Sequence, residues 1–532
     1  MTTPPEPQRG ETVPAVPSGN PAPAGPATPA PPGGAPEPAA PAPTGGGAAA
    51  FPRRPAPLGG PFHRFWAATV ATNLGDGVLA TVLPLVAATL THDPLAVSGL
   101  LVARYLPWLL LGPFSGVLLD RVDRLRAMAV STAVSAVTIA GLAVAVAAGQ
   151  ATLWVLYAAM FLVMSCETVT DPASRLLVTR VVARDRLDRA NGRMEGGRLV
   201  VQDCLGSPVG GLLFAVAAVA PVAGAAGAYA LCAVLVLGLV PRLRRSGPVP
   251  GAEDAGAGPG DGVPRRSAVE DLVGGFRYVF GHGVLRRLMV ANAGMMIGIQ
   301  MGMAVLVLFA RDELGVPAAL YGLFVGGIAV GGLLGSALTA RLVTALGRRA
   351  VMMAGYLGVA AAAVAMGLSP HALVALPAWA FLGFCLAVSN IAGSPYFQVV
   401  VPAHVRGRAS TVFRTVGWGL SPVGAFLGGL LGRIDLALPF VAGGLVMAAA
   451  VLHARRAVAD AARACDEAAE ADGSGNRGTH PRAGASGGAG PEPGAGSGRG
   501  VRPPRAVSSA WPRRRRAGRR GRGSPGRAGR PR

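Results

Sequence analysis

Asp76 sits in the run Asn73-Leu74-Gly75-Asp76-Gly77, inside a long apolar stretch. A carboxylate in such surroundings costs about 2.5 kcal/mol or more, so it needs a partner or a task. Arg104, on the next apolar stretch, is the nearest candidate partner. The two could form a structural ion pair or a proton-coupling site, and the residues leave both readings open. Glu167 and Asp203 form a second group, able to line a vestibule or to pair with Arg198 and Arg175. Asn292, Gln300 and Asn390 are neutral polar groups in apolar stretches, suited to gluing helices together or to touching a solute. Met289, Met295, Met296, Met301 and Met303 crowd one segment, where flexible thioethers suit either packing or an adaptable pocket.

These residues must be positioned by elements that are not mostly wet. Of 532 residues, 51% are hydrophobic and only 14% charged, with a mean hydropathy of +0.45. Soluble proteins carry about 25% charged residues. Cys166, Cys204, Cys232, Cys385 and Cys465 show no CxxC pair, so buried thiols are expected rather than disulfides or a metal site. All 49 basic residues are arginine. Without lysine there is no P-loop, Schiff-base or kinase lysine, which excludes ATP hydrolysis on this chain as the power source. No cofactor and no enzymatic activity are expected. The net charge of +22 is concentrated: residues 473–532 hold 15 Arg and one acid, a net of +14, leaving +8 elsewhere. The basicity therefore belongs to a tail and does not point to nucleic acid.

Twelve apolar stretches, each near the ~20 residues of a membrane helix, occupy 65–90, 96–119, 127–148, 152–174, 196–218, 222–241, 288–310, 317–340, 350–369, 373–396, 409–432 and 436–455. Arginines gather in the even-numbered connections, for example Arg121, Arg124 and Arg126, or Arg348 and Arg349. The positive-inside rule then predicts cytoplasmic even loops and cytoplasmic termini. Asp76 is 76 − 65 = 11 residues into span 1, roughly 16 Å deep at 1.5 Å per residue. Arg104 is 116 − 104 = 12 residues above Gly116, roughly 18 Å deep.

The expected organisation is a disordered Pro/Ala/Gly-rich tail (1–60), a six-helix bundle (63–241), a linker (242–287), a second six-helix bundle (288–456) and a disordered Arg-rich tail (457–532). In the linker, Val269, Leu272, Val273, Phe276, Val279 and Phe280 recur at helical spacing, which predicts an amphipathic helix at the membrane surface. The halves repeat: Ser207-Pro208-Val209-Gly210 recurs as Ser421-Pro422-Val423-Gly424. Two parallel six-helix repeats predict a solute site near the membrane midplane.

The end of span 2, Gly116-Val117-Leu118-Leu119-Asp120-Arg121-Val122-Asp123-Arg124, resembles the loop signature G-x-x-x-D-R-x-G-R of the major facilitator superfamily, with Asp123 where glycine is usual. Gly206-Ser207-Pro208-Val209-Gly210-Gly211 resembles the antiporter motif of span 5, with serine at one glycine position. With Leu74-Gly75-Asp76, Asp171-Pro172-Ala173, Ala190-Asn191-Gly192 and Val401-Pro402, residues of about 63 to 455 resemble the twelve-span exporter branch that includes enterobactin and macrolide efflux proteins.

That resemblance implies an all-α membrane fold of two six-helix repeats. It implies a secondary transporter that exports a small amphipathic compound (drug, antibiotic or siderophore-like) by alternating access, exchanged for protons. Gly116, Asp120, Arg121 and Arg124 would form a conformational latch, and Gly206, Pro208, Gly210, Gly211 and Pro422 would bend and pack moving helices. The implied setting is a multi-pass monomer in the plasma membrane. Its partners would be a small-molecule substrate, protons and the lipid bilayer, with the tail arginines near anionic headgroups. A nutrient importer of the same fold and a non-transporting membrane sensor are the alternatives.

Overall fold

The computed structural model describes residues 58–112, 119, 122–182, 186–246 and 268–477. Both expected tails, apart from their inner ends, and linker residues 247–267 lie outside these. Among the described residues there is helix and no strand. Among the described residues eleven helices are long and apolar enough to cross a membrane, and a shorter apolar helix, Pro94–Leu110, stands where the second span was expected. Each of the twelve expected stretches falls on one of these twelve helices, the second through its first part, since residues 113–118 lie outside the described residues.

In chain order these are α1 (Gly60–Leu90), α2 (Pro94–Leu110), α3 (Arg124–Ala147), α4 (Leu153–Val181), then α5 (Leu187–Arg198), which runs through a π-helical segment, Leu199–Gly206, into α6 (Ser207–Val216). Next come α7 (Val219–Ser246), α8 (Ala268–Gly281), α9 (Gly283–Leu308), α10 (Ala318–Leu346), α11 (Arg348–Gly367) and α12 (Ala372–Gly393). The chain closes with α13 (Pro395–Val400), α14 (Ala403–Gly419), α15 (Ser421–Gly432) and α16 (Leu438–Arg477).

Helix α3 shows why these segments belong in lipid. Val130, Val137 and Val144, seven residues apart, are 62%, 73% and 68% exposed. A helix apolar on its outward face as well as its inward one has no side meant for water. With lipid outside, packing of small side chains rather than exclusion of water holds such helices together.

The chain packs into two compact units. The first combines residues up to Ala268 with Ala304–Gly327 and Ala425–Leu436, and the second holds Val269–Met303, Ile328–Gly424 and the segment from Ala437 onward. In the first, α3 and α1 both lie on α7, and α4 contacts α2 and α3. In the second, α11 lies between α12 and α16. The units cut across the sequence halves, because the ends of α9, α10 and α15 pack with the first six spans.

Two local features depart from the sequence expectation. Residues 457–477, assigned to a disordered tail, continue the last helix. Their first part carries a buried stripe, Ala457, Val458, Ala461, Ala462 and Cys465, at helical spacing. The π segment was not expected at all. It ends two residues before Pro208, whose ring lacks an N–H and crowds the carbonyl four residues back, and a widened turn relieves that clash. Helix α8 forms at the expected place. Gly275 faces the α14 backbone at Arg408, while Val273 and Phe280 stay exposed.

Candidate transport site

Asp76 projects from the middle of α1 and is 9% exposed. The hydroxyl of Tyr229, on α7, donates a hydrogen bond to its Oδ1. The flanking glycines set up this contact. A Cβ on Gly75 would stand 3.0 Å from the Tyr229 ring, so the absent side chain is the space the ring uses. A Cβ on Gly77 would run into the backbone of Gln202 in the π segment. The space that the two glycines leave is thus filled by protein.

Arg104 lines a cavity of about 10 Å³ together with Asp76, Leu83, Ile139 and Met160. That is about the room one water molecule needs. The two charged residues share this cavity, and the 4.0 Å contact of a direct ion pair is absent between them; Tyr229 is the polar partner of Asp76. Glu167, on α4, is half-buried and within electrostatic reach of both Asp76 and Arg104. Tyr229 is the member that sequence reasoning missed.

Asp203 lies in the π segment, 3.6 Å from Arg198, which also binds Glu195 at 2.8 Å. Arg175 is held by Asp171 at 3.3 Å and is not the partner of Glu167 or Asp203. Just beyond, Gly206 crosses Gly77 so closely that a Cβ would lie 2.6 Å from the Gly77 Cα. Gly210 meets Val78 on α1, and Gly211 meets the Gly322 backbone on α10. The glycines around Pro208 therefore serve two helix contacts on two sides of α6. Pro422 occupies the matching place, second residue of α15 after a break at Leu420, so the repeated Ser-Pro-Val-Gly starts a helix in both halves.

At the start of α2, Asp93 caps the helix by accepting from the Leu95 N–H at 3.1 Å. Arg433 binds the same carboxylate with two nitrogens, at 2.7 and 2.6 Å. These hydrogen bonds hold the Asp93 carboxyl below its ordinary pKa. His92 lies 3.3 Å from Asp312 beside it. Gly429 and Gly432 abut Ser98 and Pro94, so α15 ends flat against the start of α2.

Of the expected latch, Gly116, Asp120 and Arg121 lie outside the described residues. Arg124 opens α3. Asp123, the departure from the loop signature, is the α3 N-cap and accepts from the Leu125 and Arg126 N–H groups at 3.0 Å each. An aspartate here satisfies two orphan donors that glycine could not.

In the second unit, Asn292 and Asn390 come together on one cavity of about 190 Å³. Met295, Met296, Tyr356 and Tyr396 line it as well. Asn292 Nδ2 donates to the Phe413 carbonyl at 3.4 Å. The buried Tyr396 hydroxyl has no partner among the described residues. Leu288, Ala291, Asn292, Met295 and Ile299 supply the α9 wall at helical spacing. Gln300 lies off this wall, buried, with its Nε2 unpartnered among the described residues. No cluster able to hold a metal ion occurs among the described residues.

A family model described as "Transmembrane secretion effector", from the major facilitator superfamily, matches residues 55–474. The multidrug efflux pump Tap of Mycolicibacterium fortuitum is 25% identical over 382 residues, covering 70% of this chain and 89% of that protein. Among solved structures, a bacterial homologue of the iron transporter ferroportin in an inward-facing state aligns with a TM-score of 0.57 at 19% identity, over 76% of this chain and 98% of that one. The D-xylose-proton symporter aligns with a TM-score of 0.54 at 14% identity, over 74% and 96%. At these identities the likeness is one of fold.

Proposed function

Since this chain belongs to the transmembrane secretion effector family of the major facilitator superfamily, and so is a membrane transporter and not an enzyme, we propose that it exports a small amphipathic compound in exchange for protons. The observation that carries this reading is the buried Asp76 carboxylate, hydrogen-bonded to Tyr229 and facing a water-sized cavity shared with Arg104. A carboxylate is kept in such a place for a task or a partner. Its hydrogen bond comes from a neutral hydroxyl, which can serve the charged and the protonated acid alike by rotating its proton. A fixed salt bridge would hold the charged form only.

The solute side of the proposal rests on the cavity in the second unit. Its methionines and tyrosines give an apolar, adaptable wall, and two asparagines with a spare tyrosine hydroxyl add orienting contacts. That mixture suits an amphipathic molecule with an apolar body and a few polar atoms. The efflux pump from Mycolicibacterium fortuitum supports the outward direction. In the same proposal, the protein works as a monomer in the plasma membrane with both termini cytoplasmic, as the arginine-rich even loops suggest.

Ethidium, an amphipathic aromatic cation, is a direct probe. Cells producing the protein should accumulate less of it than cells with the empty vector, and a protonophore should erase the difference. Equal accumulation with structurally varied amphipathic dyes would argue against export, and faster uptake would favour an importer.

A further inference from the structure

Five arginines, Arg287, Arg349, Arg455, Arg456 and Arg463, line one cavity of about 550 Å³ in the second unit. Only Arg463 has a carboxylate partner, Asp460 on the same wall; the other four have none among the described residues. Cavities of roughly 300–1,000 Å³ are the size of small-ligand sites. Four uncompensated guanidinium groups around such a space repel one another unless an anion joins them. We propose that this cavity binds the phosphate headgroup of an anionic phospholipid.

Helix packing fixes the cluster. Gly294 and Gly298 on α9 abut Ala450 and Gly443 on α16, and Gly367 on α11 abuts Ala437. Counting back 18 residues from Gly367 reaches Arg349, and counting on 18 from Ala437 reaches Arg455. Two antiparallel helices in contact at one end therefore bring these arginines level at the other. Arg287, the fifth residue of α9, joins them there. The start of α11 adds the positive end of its helix dipole beside Arg349. The adjoining cavity, which shares Arg349 and Met353, is different in charge. There Arg348 is bound to Asp466 at 2.9 Å.

The surroundings favour a lipid over a free phosphate. Three residues from Arg287, one turn deeper into its span, Val290 is 42% exposed. Three residues from Arg455, again on the deeper side, Leu452 is 48% exposed. Residues three apart share a helix face. These two arginines thus stand above outward-facing apolar side chains, the arrangement that takes a headgroup over its acyl chains. Guanidinium forks match phosphate oxygens in pairs, and basic pockets between membrane helices are known to take such headgroups. By the positive-inside rule this end of the bundle belongs to the cytoplasmic leaflet.

The test uses the full-length protein in neutral detergent, titrated with dioctanoyl phosphatidylglycerol and followed by thermal unfolding. Wild type should show a saturable rise in unfolding temperature, with dioctanoyl phosphatidylcholine giving none. R349Q/R456Q should weaken the phosphatidylglycerol effect by about thirtyfold, the loss of two arginine–phosphate contacts. If that pair of changes lowers the yield of folded protein, R287Q and R455Q singly should each weaken it by about fivefold. R513Q/R514Q, in the C-terminal tail, should leave it unchanged. Three results would overturn the proposal: inorganic phosphate reproducing the rise, the tail changes abolishing it, or the pocket changes having no effect.

Discussion

The Tyr229 hydroxyl on α7 donates its hydrogen bond to the Asp76 carboxylate on α1, and Gly75 leaves the space in which the tyrosine ring lies. Three residues from two helices thus form one device: a glycine that admits a ring, a ring that carries a hydroxyl, and a hydroxyl that satisfies a carboxylate. Tyr229→Phe removes only the last contact. It should cost about 1–3 kcal/mol, since a buried acid loses its bond and keeps its burial. Thermal unfolding of the purified protein checks this, and unchanged stability would mean that Asp76 finds another partner.

Gly75→Ala tests the same device from the other side. The added methyl would stand 3.0 Å from the ring, so the ring must give by a few tenths of an ångström and weaken the hydroxyl's bond to Asp76. The change should therefore impair transport about as much as Tyr229→Phe, and the double variant should be little worse than either single one. Additive losses in a dye-efflux assay would separate the two residues into independent roles.

Gly206 and Gly77 cross with backbone against backbone. Gly206→Ala should destabilise by about 1–3 kcal/mol, because neither neighbour is a flexible side chain that can yield. Gly224→Ala, where a methyl meets nothing within 4 Å, is the control and should be neutral. Equal effects at the two positions would contradict the close-crossing account.

The Asp93–Arg433 pair predicts an acid sensitivity. Arg433 depresses the pKa of Asp93 in the folded protein. For a depressed carboxylate, the stabilisation is fully present above the unfolded pKa, about 3.9, and is lost as pH falls through the lower folded value. The pair is solvent-exposed, so the effect is small. Wild type should lose unfolding temperature more steeply than R433Q on going from pH 5 to pH 3. Parallel curves would show that the pair contributes nothing.

Much of the scaffold was legible because apolar runs and helical spacing report burial directly. The twelve spans and the repeated Ser-Pro-Val-Gly are of this kind, whereas of the five methionines in α9 only Met295 and Met296 reach the cavity. Depth along the spans, which sets Asp76 level with Arg104, also sets Tyr229 level with both. It lies 241 − 229 = 12 residues from the arginine-rich end of its span, roughly 18 Å deep, and is the one tyrosine in an alanine-rich helix. Depth alone does not single it out, because a tyrosine sits in a membrane helix at far less cost than a charge and so carries no demand for a partner that the sequence shows. The π segment was legible only in part: Pro208 signals a disturbed turn ahead of it, but not whether the chain answers with a kink, a break or a widened register. Nor was the assignment of Ala304–Gly327 and Ala425–Leu436 to the first unit, since contacts such as Asp93–Arg433 span 340 residues of sequence.

Proton exchange through Asp76 is tested most directly in proteoliposomes loaded with ethidium. Two quantities are measured on the same vesicles: dye movement driven by an imposed pH gradient, and one-for-one dye exchange with no gradient. Asp76→Asn keeps the shape and can still accept from Tyr229, but carries no titratable proton. Wild type should do both; Asp76→Asn should retain exchange and lose gradient-driven movement by tenfold or more. Gradient-driven movement at the wild-type rate in Asp76→Asn would contradict the account.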